Sequence, residues 1–314
     1  METQAILTNS NLTKTEKIRQ LLALGLTRRE VTNLTGGNYG FVQNVFARYW
    51  PEQVQSRHRQ AVAALTDTFR FIPFNRKFGV EIEAFNIDRH DLARALRQAG
   101  ITVEAESYNH NTRPHWKIVT DASLSGTQTF ELVSPILEGQ AGLTELETVC
   151  RVLKAKRALI NRSCGLHVHF DAEQISLSQT KNLLFNYAGY ESIIDSFMPN
   201  SRRGSSNTFC QSLTHLTGRI DGASSMQTLT NSVMTNRYFK VNLQSYSRHK
   251  TIEFRQHSGT VEFEKISNWV LFLHNLVEYS RTSRVETANM ESLQRFQQPE
   301  VFTYFHNRQS ELAA

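Results

Sequence analysis

The sequence predicts an α+β protein: a curved, mainly antiparallel sheet flanked by helices on its outer face, with a small all-helical module in front. Three observations lead there. Four short segments alternate polar and apolar residues with period two, as strands with one buried face do. Helix-length stretches lie between and after them, roughly at 88–99, 142–160, 177–196 and 262–280. The first fifty residues carry apolar positions at helical spacing, broken by glycines.

Of the 314 residues, 39% are hydrophobic and 20% charged, which supports a sizeable core and excludes wholesale disorder. Length alone suggests about two units, or one large domain with an appendage. No run approaches the ~18 uninterrupted apolar residues of a membrane helix. The start METQAILTNSNLTK lacks a basic segment followed by an apolar core, so no secretory signal is expected and a cytoplasmic location is. Cys150, Cys164 and Cys210 are odd in number and widely spaced, without CxxC. That argues against a disulfide framework or zinc knuckle and fits a reducing compartment, with Cys164 a small core-facing residue.

The net charge of +6 is uneven. Residues 1–79 hold 11 Lys/Arg against 5 Asp/Glu, and residues 80–314 hold 24 of each, so the surplus sits in the N-terminal quarter. There, Ile18, Leu21, Leu22 and Leu24 define one helix ending at Gly25, and Thr27 caps a second through Val31 and Leu34. Gly36-Gly37-Asn38 turns into a third helix with Tyr39, Val42, Phe46 and Tyr49, stopped by Pro51. This pattern resembles a helix-turn-helix of the DNA-binding type. On that resemblance Asn38, Gln43, Asn44 and Arg48 would read bases, Arg28 and Arg29 would contact phosphates, and residues 13–50 would form the DNA partner surface. The alternative is a tri-helical assembly module. The boundaries expected are 1–50 for this module, 51–75 for a helical connector with a stop at Pro73, 76–284 for the main domain and 285–314 for a helical tail.

The strands carry the chemistry. In Lys77–Phe85, Glu81 and Glu83 share one face and Val80, Ile82 and Ala84 the other. Two carboxylates ~7 Å apart repel unless solvent screens them or a cation lies between. Cys164–Phe170 places His167 and His169 together; Thr251–His257 aligns Glu253, Arg255 and His257; Phe130–Pro135 offers Glu131. Acids, imidazoles and a guanidinium are the inventory for divalent cations holding a nucleotide triphosphate. Neither GxxxxGK[ST] nor GxGxxG occurs, so a metal-lined concave sheet remains.

Gly79-Val80-Glu81-Ile82-Glu83, Asp121-Ala122-Ser123-Leu124, Glu131-Leu132-Val133-Ser134-Pro135, Cys164-Gly165-Leu166-His167-Val168-His169, Glu253-Phe254-Arg255 and His257-Ser258-Gly259-Thr260 occur in this order. Together they resemble the amidoligase family, a branch of the carboxylate–amine ligases related to glutamine synthetase and glutamate–cysteine ligase, over roughly residues 76–280. The resemblance implies a glutamine-synthetase-like sheet, ATP, and Mg²⁺ or Mn²⁺. It implies metal ligation by Glu81, Glu83, Glu131, His167 and Glu253, a nucleotide-facing His169, and Arg255 on the transferred phosphoryl group. Asp121 and Ser123 resemble the D-G-S-S loop of glutamine synthetase, with Ala122 in place of glycine and Asp121 as the candidate base for the amine. Asn236, Arg237, Lys240 and Asn242, just before the Glu253 strand, are candidates for substrate or phosphate contacts, Arg237 and Asn242 on the nucleotide side.

The implied reaction activates a carboxylate as an acyl phosphate and captures it with an amine; the acid and amine are small molecules or peptides. Residues 198–235, with Arg202, Arg203 and Gly204, read as a lid or substrate loop. A C-terminal helix at 285–310, with Phe296, Phe302, Tyr304 and Phe305, is expected to pack on the body or on another subunit, and a homo-oligomer follows by analogy. The rival readings are a metal-dependent hydrolase or phosphoesterase using the same side chains, and a DNA-binding regulator with a ligand-sensing ligase-like domain.

Overall fold

A computed structural model describes residues 2–36, 38–50 and 73–313. Four helices open the chain: α1 (Glu2–Thr8), α2 (Lys14–Ala23), α3 (Arg28–Thr35) and α4 (Tyr39–Tyr49). Helices α2 and α3 each start with a reciprocal capping box, Thr13 with Glu16 and Thr27 with Glu30, which satisfies two otherwise orphaned N–H groups per helix. Gly36 ends α3 in the left-handed region at φ 57°, which a β-carbon would disfavour. Ile18, Leu21, Leu22, Val31, Val42 and Val45 form an apolar cluster of their own. Leu24, Leu34 and Tyr49, apolar positions in the sequence pattern, are exposed, and Val45 is buried in addition. Helix α1 was not anticipated; it buries no side chain, and its Leu7 carbonyl accepts from Lys17 Nζ at 2.8 Å. Most of the expected connector, residues 51–72, lies outside the described residues.

The main body is an eight-stranded sheet: β1 (Lys77–Ala84), β2 (Val103–Ala105), β3 (Trp116–Val119), β4 (Phe130–Val133), β5 (Leu137–Glu138), β6 (Gly165–Asp171), β7 (Val241–Asn242) and β8 (Thr251–Ser258). The order is β2-β3-β4-β1-β6-β8-β7, with β5 beside the start of β1. Only β2 and β3 pair in parallel. The protein is α+β with a mainly antiparallel sheet.

Period-two alternation sends Phe78, Val80 and Ile82 of β1, Leu166, Val168 and Phe170 of β6, and Ile252 and Phe254 of β8 into one core. Packed into the same core are α5 (Arg89–Gln98), α6 (Gly139–Ala155), α7 (Leu177–Ser196) and, after the short α8 (Thr217–Gly222), α9 (Phe263–Ser280) and α10 (Pro299–Ala313). The four central helices fall within a few residues of the predicted spans. The C-terminal segment instead divides into a 3₁₀ turn at Glu291–Arg295 and α10, which begins at Pro299, a residue preset for a first helical turn. Its Phe305 packs 4.6 Å, ring to ring, from Phe197 of the body. Residues 198–235 hold 3₁₀ turns, α8, and a short helix at Met226–Thr228 that runs into a π-helix at Leu229–Val233, and no strand.

One interruption of the pairing matters. Val168 pairs with Phe254 but Leu166 pairs with His257, so β8 carries one extra residue opposite His167. Such a bulge inverts the alternation beyond it. His257 therefore does not share a face with Glu253 and Arg255, as strict alternation predicts. It is buried against Trp269 of α9, with ring centroids 5.6 Å apart.

Candidate active site on the polar face of the sheet

The face turned away from the helices lines a cavity of 1220 Å³, larger than the ~300–1,000 Å³ usual for one small ligand. Register brings its side chains together. Glu81 lies opposite His167, Glu83 opposite Glu131, and His169 opposite both Gly79 and Glu253. Glu81 Oε2 is 2.8 Å from His167 Nδ1, and Glu81 Oε1 is 3.3 Å from His169 Nε2. His167 Nε2 lies 3.6 Å from Glu83 Oε1, and its Nδ1 lies 3.9 Å from Glu253 Oε1. Two groups of donors converge closely enough for an ion: Glu81, His167 and Glu253, and Glu83, Glu131 and His167.

The electrostatics suit a cation-binding face. Burial, with the charges of Glu81, Glu83 and Asp121, pushes the Glu131 carboxyl well above its ordinary range. Burial acts the same way on Glu81, but the charges and hydrogen bonds of His169 and His167 outweigh it and hold that carboxyl well below. Glu253 is likewise lowered against its burial, chiefly by Arg255 and then by His169. His169 is raised despite burial, because Glu81 favours its charged form. One face thus carries four buried or half-buried acids with two imidazoles and one arginine among them. Carboxylate oxygens with one or two imidazoles are a donor set for Mg²⁺ or Mn²⁺.

The remaining predicted residues divide. Arg255 Nη1 donates to Glu253 Oε1, and Asn242 Nδ2 donates to Glu253 Oε2 at 2.8 Å, so that carboxylate is oriented from both sides. Asn242 also donates to the Arg237 carbonyl at 3.0 Å; Arg237 itself is exposed at the cavity rim, outside the two-residue β7. Asp121 and Ser123 line the cavity, and Asp121 Oδ1 accepts both the Ser123 amide and its hydroxyl at 2.7 Å. Lys240 is not at the cavity. Its side chain is fully buried and pairs with Glu191 at 2.9 Å and Asp195 at 2.6 Å, both on α7.

Several lining residues escaped the sequence patterns. Lys117, buried on β3, donates to Asn109 O at 2.8 Å, Asn109 Oδ1 at 3.2 Å and Asn111 O at 2.9 Å. It thereby holds the segment 106–113 over the sheet. That segment reaches from the β2 edge to the β7–β8 side, where Thr112 Oγ1 is 3.2 Å from His249 Nδ1 and Arg248 Nη2 donates to Asn111 Oδ1 at 2.8 Å. Its base is Glu106, which accepts from Arg113 and Asn109 and meets His115 Nε2 at 3.0 Å. Glu104, Glu106 and His115 also converge, but Glu106 is already engaged by those partners. Strand β3 reads Trp-Lys-Ile-Val with all four residues buried, so no alternation marks Lys117.

Residues 74–277 match the model of a family described as "putative amidoligase enzyme". No curated protein matches the chain. No helix among the described residues is long and apolar enough to cross a membrane. The matched span runs from just ahead of β1 almost to the end of α9 and includes every strand of the sheet, so by sequence the chain belongs to the amidoligase family.

Proposed function

We propose that this protein is an ATP-dependent carboxylate–amine ligase that forms an amide through an acyl phosphate. The observation that carries the reading is the meeting of Glu81, Glu83, Glu131, His167 and Glu253 on one sheet face beside Arg255. These five residues would hold Mg²⁺ or Mn²⁺, which when bound neutralises phosphate charge. The mainly antiparallel sheet with its polar face on the cavity and the family membership support the same chemistry.

In this reading the substrate carboxylate attacks the terminal phosphorus of ATP, giving acyl phosphate and ADP. The Arg255 guanidinium stabilises charge on the transferred group, held in position by its contact with Glu253. An amine then attacks the acyl carbon and phosphate leaves. Asp121, on the cavity wall, takes the amine proton. His169, Arg237 and Asn242 serve the nucleotide side.

The test is calorimetric titration with ATP in Mg²⁺ and again in EDTA. Metal-dependent binding that Glu253→Ala abolishes supports the ligase reading and justifies screening acid and amine pairs for ADP release. Absence of ATP binding under every divalent cation overturns it in favour of a metal-dependent hydrolase.

For the N-terminal helices we infer a DNA-facing surface, supported by the basic surplus of residues 1–79 and by Arg29, Asn44 and Arg48, which are exposed. Gln43 is taken by Arg28 Nη1 at 2.5 Å, which removes it from the set of readers. Fluorescence anisotropy with duplex DNA over a salt series tests this. Arg29→Ala should flatten the salt dependence by about one phosphate contact, and Arg48→Ala should relax the preference between sequences.

A further inference from the structure

Arg202 closes the 3₁₀ turn Asn200–Arg202 that follows α7, and its side chain reaches the cavity from beside Gly165. It is 4% exposed. Each of the other buried cations nearby has a carboxylate partner or several acceptor oxygens, although the Nε–H of Arg255, like that of Arg202, has no hydrogen-bond partner among the described residues. Lys240 has two carboxylates, Arg255 has Glu253, and Lys117 donates to three strap oxygens. Arg202 differs. Among the described residues no carboxylate pairs with it, its Nε–H has no hydrogen-bond partner, and its Nη2 donates only to the Cys164 carbonyl at 2.6 Å. Burying a guanidinium without a directly paired carboxylate is costly, so a fold that does so leaves part of the compensation to something that binds.

The guanidinium lies at the wall of the large cavity, beside the candidate metal-ligating residues. A β-carbon at Gly165 would stand 3.3 Å from Arg202 Nη2, 3.0 Å from His167 Nε2 and 3.3 Å from Glu83 Oε2. Glycine there lets all three side chains close on one point of the backbone, so that Arg202 and the carboxylate and imidazole groups border the same end of the cavity. The arginine is also held firmly. Its carbonyl accepts from Gln256 Nε2 at 3.3 Å, and Gln256 is fixed by Asp195 and by the Tyr187 hydroxyl, with Asp195 in turn on Lys240. A donor immobilised before the ligand arrives loses little entropy on binding.

We propose that Arg202, over Gly165, is the receiving group of an oxyanion subsite, taking the phosphoryl or carboxylate end of a substrate. The subsite holds for ligase and hydrolase chemistry alike, so it does not depend on the amide-forming reading. Because Glu83 approaches the same glycine, an anion binds Arg202 better when a divalent cation offsets that carboxylate.

The experiment follows thermal unfolding of the wild-type full chain, Arg202→Met and Arg202→Lys with inorganic phosphate and with acetate, each in Mg²⁺ and in EDTA. Stabilisation of the wild type by phosphate alone identifies a phosphoryl end, and by acetate alone a carboxylate end. Stabilisation by both identifies a general oxyanion site. In each case Arg202→Met should weaken binding by about tenfold or more, with part retained by Arg202→Lys. The Met variant without ligand should melt at or above the wild-type temperature, since it removes an unpaired charge and the Cys164 carbonyl keeps the Gly259 N–H at 2.8 Å. The proposal is overturned if neither anion stabilises the wild type in either buffer, if Arg202→Met binds as tightly, or if the unliganded Met variant melts clearly lower.

Discussion

Glu81 and His167 are register partners on adjacent strands, and their side chains meet at 2.8 Å while His167 also faces Glu83 and Glu253. The imidazole is therefore the shared member of both candidate ion-binding groups. Without it both groups lose their nitrogen ligand and keep carboxylates alone. Added Mn²⁺ should raise the melting temperature of the wild type, since a ligand at 100 times its Kd stabilises by about 2.7 kcal/mol. His167→Ala should lose that gain while folding in metal-free buffer. An unchanged Mn²⁺ response in the variant would remove His167 from the site.

Asn242 provides a second check, on orientation. Its amide is the neutral partner of Glu253 Oε2 in a pocket that excludes water. Asn242→Ala removes one hydrogen bond to a charged group, a loss of about 1.5–3 kcal/mol. Asn242→Asp is nearly isosteric but sets a second carboxylate against Glu253, and it should cost more than the alanine change at neutral pH. Urea unfolding at pH 7 ranks the two. An aspartate variant as stable as wild type would mean that Glu253 is not held there as an anion.

Much of this site was legible because strand periodicity is rigid. Once Glu81, Glu83, His167, Glu253 and Arg255 sit on alternating strands, their common face follows, and the ordered motifs identified the family. What failed did so where the period breaks or where partners are distant in sequence. The bulge opposite His167 turned His257 into the core, and no local signal in Thr251–His257 marks an extra residue. Lys240 belongs to acids about fifty residues away on α7, which its own segment does not reveal, and so it reads from sequence as a candidate substrate or phosphate contact. The strap over the cavity is irregular backbone held by Lys117, Arg248 and His249, contacts that no periodicity encodes.

The burial of His257 has a pH consequence. Burial above all, with the charges of Arg308, Arg202 and Lys265, pushes its imidazole down to about 3, although its hydrogen bond to the Ser258 carbonyl opposes this. A histidine lowered in the folded state is neutral there and protonates more readily when unfolded. Its contribution is complete above about pH 6.5 and is lost as pH falls from there toward 3, at up to about 1.36 kcal/mol per pH unit. His257→Gln should reduce the slope of stability against pH in that window. Equal slopes for the two proteins would place the acid sensitivity elsewhere.

The strap offers the last test, because its closure rests on a few side chains whose loss leaves the sheet intact. Burial alone would raise the Glu106 carboxyl, yet hydrogen bonds from His115, Arg113 and Asn109 bring it to about 2. Glu106→Ala frees Arg113 and His115 at the base of the strap, and Thr112→Val removes the contact with His249 at its far end. Each hydrogen bond contributes about 1 kcal/mol, so each change should raise the open population several-fold without altering the packing beneath β1 and β6. Chymotrypsin cleavage after Tyr108, followed by mass spectrometry, reads that population under conditions where reclosing is fast. Both variants should be cut several-fold faster than wild type, and the Glu106 variant more than the Thr112 variant because it loses more partners. If cleavage after Tyr108 is as slow in both as in the wild type, these contacts do not govern closure and the strap is held by Lys117 and Arg248.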